Sequence, residues 1–456
     1  MRLSGLLLLA ASSVGLLTSA AAATRPQYGG TLHCNMPYAV GSLDPAGEAG
    51  PASADLANLT ALLYDPLVAE DEYGRIQPAL AASWQAEPGN RRWQFRLRAG
   101  VLFHDGSPLT ADAVAASLRV ANPSWKVIPS VDSVVIELSS PDPDLLAELA
   151  ESRNAIAKRN GGGNAIGTGP FKVASWDPGK KLTANANEEY WNGRPFLDSI
   201  QVDLGVSSRD QLEALELGKT EVAELLPEQA RRAALEGYRT VNSAPVELVA
   251  LLFNHEAQSP GENALHEALS LSIDRATMRD VLLQGFGEPA GSLLPNWLTG
   301  YGFVFNPTFD LAAAREKRAA SLAPARWTVS YDPADPTAHV IAERVALNAQ
   351  DAGILLHVST APGSELRLVR LPVSSADPGV ALSDLERSLG LASSSGSIQS
   401  VDDRFRAESE ILGSHRVIPL LFLSRAYALS SAVRGFSASH LGMWRPADVW
   451  LARRGK

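Results

Sequence analysis

The chain has 456 residues, a net charge of −10 at neutral pH and a single cysteine. That length is enough for two or three domains with ample cores. The acidic balance, with no Lys/Arg run, excludes nucleic acid and anionic membrane surfaces as partners, and one cysteine excludes an intrachain disulfide, so the fold must hold by its core.

Met1 to about Ala23 has the pattern of a secretory signal: Arg2 at the start, an apolar stretch over Leu6–Leu17, and small residues at Ala20–Ala23 that offer several cleavage registers. The mature chain is then expected to begin near Thr24. A lipid anchor would need a cysteine just after the apolar run, preceded by small residues. Cys34 follows Leu32-His33 instead, so the expectation is a soluble periplasmic protein, not a lipoprotein. No second apolar stretch approaches spanning length.

Gly29-Gly30-Thr31 leads into a strand near Leu32–Ala39, with His33 and Cys34 on opposite faces and Cys34 read as a small buried apolar residue. A helix carrying Leu59, Leu62 and Leu63 follows and is stopped by Asp65-Pro66. Trp93, Phe95 and Leu97 alternate with Gln94, Arg96 and Arg98, which predicts a strand with one buried face. Ala99-Gly100 supplies a turn and Val101–Phe103 a predicted return strand, ended by Asp105-Gly106 and Pro108. Thr110 is placed to cap a helix whose inner face holds Val114 and Leu118. A strand over Ser133–Leu138 and a helix from Pro143-Asp144 come next. The Gly161-Gly162-Gly163 run lacks a following Lys-Ser/Thr and reads as a loop, not a phosphate cradle.

A hairpin turns at Asp177-Pro178-Gly179, Ile200, Val202 and Leu204 alternate as a strand, and Ser208–Leu217 is a helix closed by Gly218. Val246–Asn254 is an apolar run that predicts a fully buried strand, followed by helices over His266–Ser272 and after Asp274. Trp327–Tyr331, Thr337–Ala352 and Ile354–Val358 make strand, helix, strand, the unit of a parallel sheet. A last helix runs from Val401 toward Leu412. Val417–Leu423 is an apolar strand that Pro419 would place near an edge or a crossover.

Several of these segments carry a resemblance. Pro78 to Val114, "PALAASWQAEPGNRRWQFRLRAGVLFHDGSPLTADAV", resembles the signature of extracellular solute-binding proteins of family 5, the peptide- and nickel-binding class that feeds ABC importers. It departs twice: Gly89-Asn90 replaces an Asp-Gly turn, and Ala113 stands where an acidic residue is common. The entry "GGTL…LDP" at 29–45, Gly167–Phe171, "NEEYWNGRPFLDSI" at 187–200, "VELVALLFN" at 246–254 and "SSAVRGFSASHLGMW" at 430–444 are also similar to family segments. The likeness covers most of residues 29–447 and is thin between Leu366 and Ser400.

The resemblance implies an α/β fold, periplasmic-binding-protein-like type II, with two lobes and an extra subdomain in lobe I. Lobe I would take residues 24–250 and 430–456, with the subdomain at about 46–165, and lobe II residues 251–429. It implies the substrate-binding component of an ABC import system: a monomer that captures a small-molecule or peptide-like ligand between its lobes and delivers it to a membrane permease, with no cofactor and no catalysis. An exported sensor or chaperone-like binding protein on the same fold is the alternative. An exported hydrolase finds no support in the spacing of nucleophiles and bases, and the eight histidines form no HxxxH or HExxH pair.

Family members line the cleft from the loop after the first strand (here Tyr38 and Val40), from the strand ending in Phe-Asn (Asn254) and from Arg370 to Ser375. Peptide-binding members place an aspartate there to pair the ligand's ammonium. Aligned on Asp377-Pro378, this chain has Leu371 at the preceding aromatic position and Ser374 at the aspartate, with Ser375 beside it. Asp377 next to Pro378 reads as a turn residue. The positions therefore offer an aromatic, aliphatic groups, an amide, a cation and two hydroxyls, and no carboxylate. Free short peptides are expected to bind weakly and uncharged or anionic ligands to be favoured. Arg370 is either the cationic anchor or a strand-edge residue facing solvent.

Overall fold

The computed structural model describes residues 25–47, 53–71, 74–159, 165–333, 335–361, 363–391 and 400–452. The leader expected over residues 1–23 and the Gly161–Gly163 run lie outside the described residues.

Strand β1 (Thr31–Asn35) buries Leu32 and Cys34 and turns His33 outward to the Glu221 carboxylate, 3.1 Å away. Helix α1 (Ser53–Leu63) buries Leu59, Leu62 and Leu63. The aspartate that follows it does more than stop a helix. Asp65 is buried and accepts hydrogen bonds from Thr168 Oγ1 (2.7 Å), Tyr190 Oη (2.9 Å) and Trp191 Nε1 (3.0 Å). It thus ties together two segments that stood out in the sequence, "GTGPF" and "NEEYW". The glycines of the first are there for close approach. A Cβ on Gly167 would lie 1.9 Å from the carbonyl oxygen of Leu63, and one on Gly169 2.4 Å from its carbonyl carbon.

The subdomain is a four-stranded antiparallel sheet of β2 (Ala81–Ala86), β3 (Arg92–Leu97), β4 (Lys126–Pro129) and β5 (Ser133–Glu137), ordered β2-β3-β5-β4. Trp93 and Phe95 on β3 and Ile136 on β5 pack under α2 (Ala111–Ala121) through Val114 and Leu118. Thr110 caps α2, its hydroxyl accepting from Ala113 N at 3.2 Å. Helix α3 (Leu145–Ala150) closes one end. The return strand expected at Val101–Phe103 does not form. The segment folds back on itself: Phe103 N donates to Ser107 O and Leu109 N to Val101 O around Gly106 at φ 81°, leaving a single bridge between Leu102 and Pro108. The partners available to β3 are taken by β2 and β5.

The main sheet has 11 strands. In chain order its remaining long members are β6 (Phe171–Asp177), β7 (Lys181–Ala186), β8 (Ser199–Asp203), β9 (Val222–Leu225), β10 (Arg239–Phe253), β11 (Arg326–Ser330), β12 (Leu355–Ser359), β13 (Leu366–Pro372) and β14 (Val417–Leu429). The order across the sheet is β12-β11-β13-β10-β14-β9-β1-β8-β7-β6, with Glu288–Pro289 paired to β14. Strands β10 and β14, of 15 and 13 residues, pair antiparallel and run from one lobe into the other. Their register breaks at Asn242/Pro245, Pro245/Glu247 and Val249/Ala250. Pro419 sits at the last of these irregularities inside a central strand, not at an edge. The bulge removes the need for its missing N–H, and its carbonyl accepts from buried Arg275 Nε at 2.8 Å.

The first lobe's core holds Leu32, Leu59, Phe171, Ile200 and Tyr427, and Val433, Phe436, Trp444 and Val449 pack into it from the C-terminal segment. The second lobe covers both sheet faces. One face has Leu251, Trp327 and Ile418 under α4 (Pro260–Ser272) and α5 (Pro336–Asp351), and the other has Leu252, Leu371 and Val417 under α6 (Pro378–Ser388) and α7 (Val401–Gly413).

Candidate functional site

From Val246 on, β10 is apolar except for Glu247, and three charged residues of neighbouring strands meet. Glu247 interrupts β10, Arg370 lies on β13 opposite Val249, and Arg425 lies on β14. Asp335 reaches the same place as the cap of α5, its Oδ1 accepting from Thr337 N at 2.9 Å and Ala338 N at 3.2 Å. Arg370 Nε donates to Glu247 Oε2 at 2.8 Å and Nη2 donates to the same oxygen. Its Nη1 reaches Tyr38 Oη at 3.1 Å and Asp335 Oδ2 at 3.3 Å. A second guanidinium continues the chain of charges. Arg425 bonds Glu224 Oε1 through Nε (2.8 Å) and Nη2 (2.6 Å), bonds Asp55 Oδ1 at 2.8 Å, and lies 3.9 Å from Glu247 Oε1. Asp55 also accepts from Tyr38 N at 3.2 Å.

Four carboxylates thus surround two guanidiniums, all of them buried or nearly so. Isolated charges in such a place would be costly, and pairing is what allows them. Burial opposes the charge on Arg370 and Arg425, but neighbouring carboxylates, Glu247 for the first and Glu224 for the second, outweigh it and hold both firmly protonated. Burial, and then the adjacent Glu224 charge, pushes the Asp55 carboxyl well above its ordinary range. Burial likewise raises Glu224, whose Oε2 has no hydrogen-bond partner.

Beside Arg370 a cavity of about 290 Å³ opens at the carboxyl end of β11, lined among others by Ser330, Tyr331, Asp335, Thr337, Arg367 and Arg370. The carboxyl ends of parallel strands are where open α/β sheets hold ligands. The buried Thr337 Oγ1 at its wall has no hydrogen-bond partner. No group of three or more His, Cys, Asp or Glu that could hold a metal ion is found among the described residues.

Of the positions singled out in the sequence, Tyr38 and Arg370 are brought together, and Arg370 does not face solvent. Val40 is core, its carbonyl accepting from Gly179 N at 2.8 Å. Asn254 bonds Ser364 O and Glu365 O at the far end of β10, seven residues and about 23 Å of strand beyond Glu247. Ser374 Oγ donates to Asp384 Oδ2 at 2.7 Å and Ser375 Oγ accepts from Asp377 N at 3.1 Å. Both serines lie on the face that meets the subdomain, where Arg153 Nη2 reaches Asp384 at 3.3 Å. Asp377 caps α6, accepting from Gly379 N (2.8 Å) and Val380 N (3.1 Å), where a turn was read from its neighbour Pro378. Carboxylates do stand beside the cleft positions, contrary to expectation. Glu247 comes from a segment read for its apolar pattern, and Asp335, Asp55 and Glu224 from stretches that drew no reading of their own. The available signal was a lone charge inside an apolar run, as in "VELVALLFN" and "LFLSRAYAL", because such a charge must find a partner.

Two lobes joined by paired long strands, with a subdomain in the first lobe, define a type II periplasmic-binding-protein-like fold. The chain belongs to the bacterial extracellular solute-binding proteins, family 5, whose middle region matches residues 75–384. It is 29% identical over 275 residues to protein XP55 of Streptomyces lividans, covering 55% of this chain and 51% of that one. It is 25% identical over 301 residues to the oligopeptide-binding protein AppA of Bacillus subtilis strain 168, covering 59% and 54%. The matched region therefore spans about half the length of these curated relatives. Among solved structures, AgaA from A. tumefaciens R10 in complex with agropinic acid superposes with a TM-score of 0.80 at 18% identity, covering 93% of this chain and 99% of that one. Proteins of this family are periplasmic or extracellular solute-binding proteins of ABC importers. No helix among the described residues is long and apolar enough to cross a membrane.

Proposed function

We propose that this chain is the soluble, exported, lipid-free binding component of an ABC import system, and that it captures one small solute between its lobes for a membrane permease. The observation that carries the reading is the cavity of about 290 Å³ at the carboxyl end of β11, lined from the second lobe and bordered by Arg370, which itself bonds Tyr38 of the first lobe. Its volume lies at the lower end of the range for small-molecule sites. The ligand is accordingly small, on the scale of an amino acid or a dipeptide. Lobe I takes residues 24–250 and 430–456, lobe II residues 251–429, and motion between them bends β10 and β14 near the register breaks at 242–247.

Glu247 and Asp335 beside the cavity are both engaged by Arg370, which supports weak binding of free peptides. Native mass spectrometry of the exported protein is expected to show a co-purified solute of small mass. Calorimetric titration with di- and tripeptides is expected to give dissociation constants above roughly 100 μM, since each 1.4 kcal/mol of missing pairing costs a factor of ten. Micromolar peptide binding would overturn the ligand class. A protein that binds no solute, and does not associate with a permease when the two are co-expressed, would overturn the function.

A further inference from the structure

We propose that Arg370 is a resident occupant of the cleft's cationic position, so that the protein takes solutes that are neutral or anionic at that end and shuts out those presenting an ammonium or guanidinium there. The inference rests on the reading that the ligand enters this cleft.

Glu247 and Asp335 set up the demand. Both are almost fully buried where the lobes meet, a place where a carboxylate is costly unless a cation is paired with it. The chain supplies that cation itself. Four of the five N–H groups of Arg370 are used: Nε and Nη2 on Glu247, and Nη1 on both Tyr38 Oη and Asp335 Oδ2. These partners come from three sources: the loop after β1 in the first lobe, a strand that joins the lobes, and a helix cap in the second lobe. A captured ligand makes contacts with that distribution. A side chain serving one lobe's core does not.

The same geometry withdraws Arg370 from the role of anchor, since it has little left to offer a solute. What remains for the ligand is the cavity alongside, where the lining carboxylate Asp332 is already engaged, Thr337 Oγ1 is an unpartnered buried hydroxyl and Arg367 makes no ion pair among the described residues. A solute with a carboxylate or neutral polar end suits that remainder. One with an ammonium would have to evict a guanidinium already held at four points.

The test is titration calorimetry of the full-length exported protein and of Arg370→Ala with methylguanidinium, agmatine and dialanine. The wild type is expected to bind none of them at millimolar concentration. Arg370→Ala should gain at least tenfold in affinity for agmatine and for dialanine over the wild type, and Glu247→Gln added to it should abolish the gain. A vacancy that only repaired stability would take up methylguanidinium without gaining the larger cations. If Arg370→Ala is unfolded in buffer, low-millimolar agmatine should restore a cooperative melting transition. A folded variant with no gain, or an unfolded one with no restoration, overturns the proposal. The probes report on this position whether or not the natural solute is known. A natural solute found with its ammonium on Asp335 and Arg370 displaced would sink the inference while leaving the binding function intact.

Discussion

At the scale of the residue, charge placement and close packing govern this molecule in different ways. Arg425 is held by Glu224 and Asp55 from two separate segments, and Gly442 presses on its side chain, so that a Cβ there would lie 2.9 Å from its Cδ. Removing the guanidinium strands at least two buried carboxylates. Arg425→Ala is expected to cost roughly 3–5 kcal/mol, the range for a broken buried ion pair, as read by urea denaturation. A loss under 1 kcal/mol would mean that protonation of Asp55 and Glu224 absorbs the change. Trp93 tests packing instead. It is 6% exposed, stacks beside Phe95 with ring centroids 6.4 Å apart, and makes a hydrogen bond to Asn90 O. Trp93→Ala should cost about 3–5 kcal/mol, and an unchanged unfolding midpoint would remove the subdomain core as the source of that strand's stability.

At the scale of the element, patterns with a local cause were legible in the sequence, and those set by distant partners were not. Thr110 and Gly218 could be read because a cap or a helix end is decided within a few residues, and each is found as expected, whereas Asp377, read as a turn residue, caps a helix. Val101–Phe103 has strand composition but forms no strand, because β3 is already paired on both edges. Pro419 was read as marking an edge or a crossover, and nothing local announces the bulge that accommodates it in a central strand passing between the lobes. The site follows the same division. Tyr38 and Arg370 were found through segment likeness, whereas Glu247 and Asp335 join them only through the pairing of β10 with β13 and the docking of α5. Gly167 gives this lesson a test. Its requirement is a close approach to the end of α1, so Gly167→Ala must displace the Leu63 carbonyl. A loss of at least about 1–3 kcal/mol is expected by thermal melting. A neutral result would show that the strand entry shifts freely.

At the scale of the whole molecule, the face between the subdomain and the second lobe is crowded with acids, and this makes closure depend on pH. From the subdomain come Glu70, Asp142, Asp144, Glu148 and Glu151. Asp377 and Asp384 face them from the second lobe, with Arg153, Arg387 and Arg404 as the cations among them. Burial, then nearby carboxylates, raises Glu148 to about 7 and Asp144 to about 6. Burial raises Glu70 to about 7 even though Ala376 and Ser375 donate to it. Burial and the Asp384 charge push Glu151 up further. Because Asp377 raises Asp142 and Asp144, and Asp384 raises Glu148 and Glu151, across this face, a closed form with the two sides together is expected to bind more protons than an open one between the ordinary carboxylate range and about pH 7. Stabilisation of the closed form is then complete below about 4.5 and is lost as pH rises through 7. Asp384 has the opposite sign: its Arg153 partner overcomes burial and depresses it, so its contribution vanishes only below its ordinary value of 3.8, outside this window. His104 and His266, both lowered to about 4 chiefly by burial, favour folding more as pH rises from 4 to 6.5, and they act on global stability because neither touches this face. The two effects separate by measurement. Small-angle scattering from pH 5 to 8 is expected to show the radius of gyration growing with pH in the wild type, and a flatter profile in Glu148→Gln/Glu151→Gln, while both unfold at closely similar temperatures at pH 5. A wild-type radius that stays constant across that range would mean that the acidic face plays no part in opening.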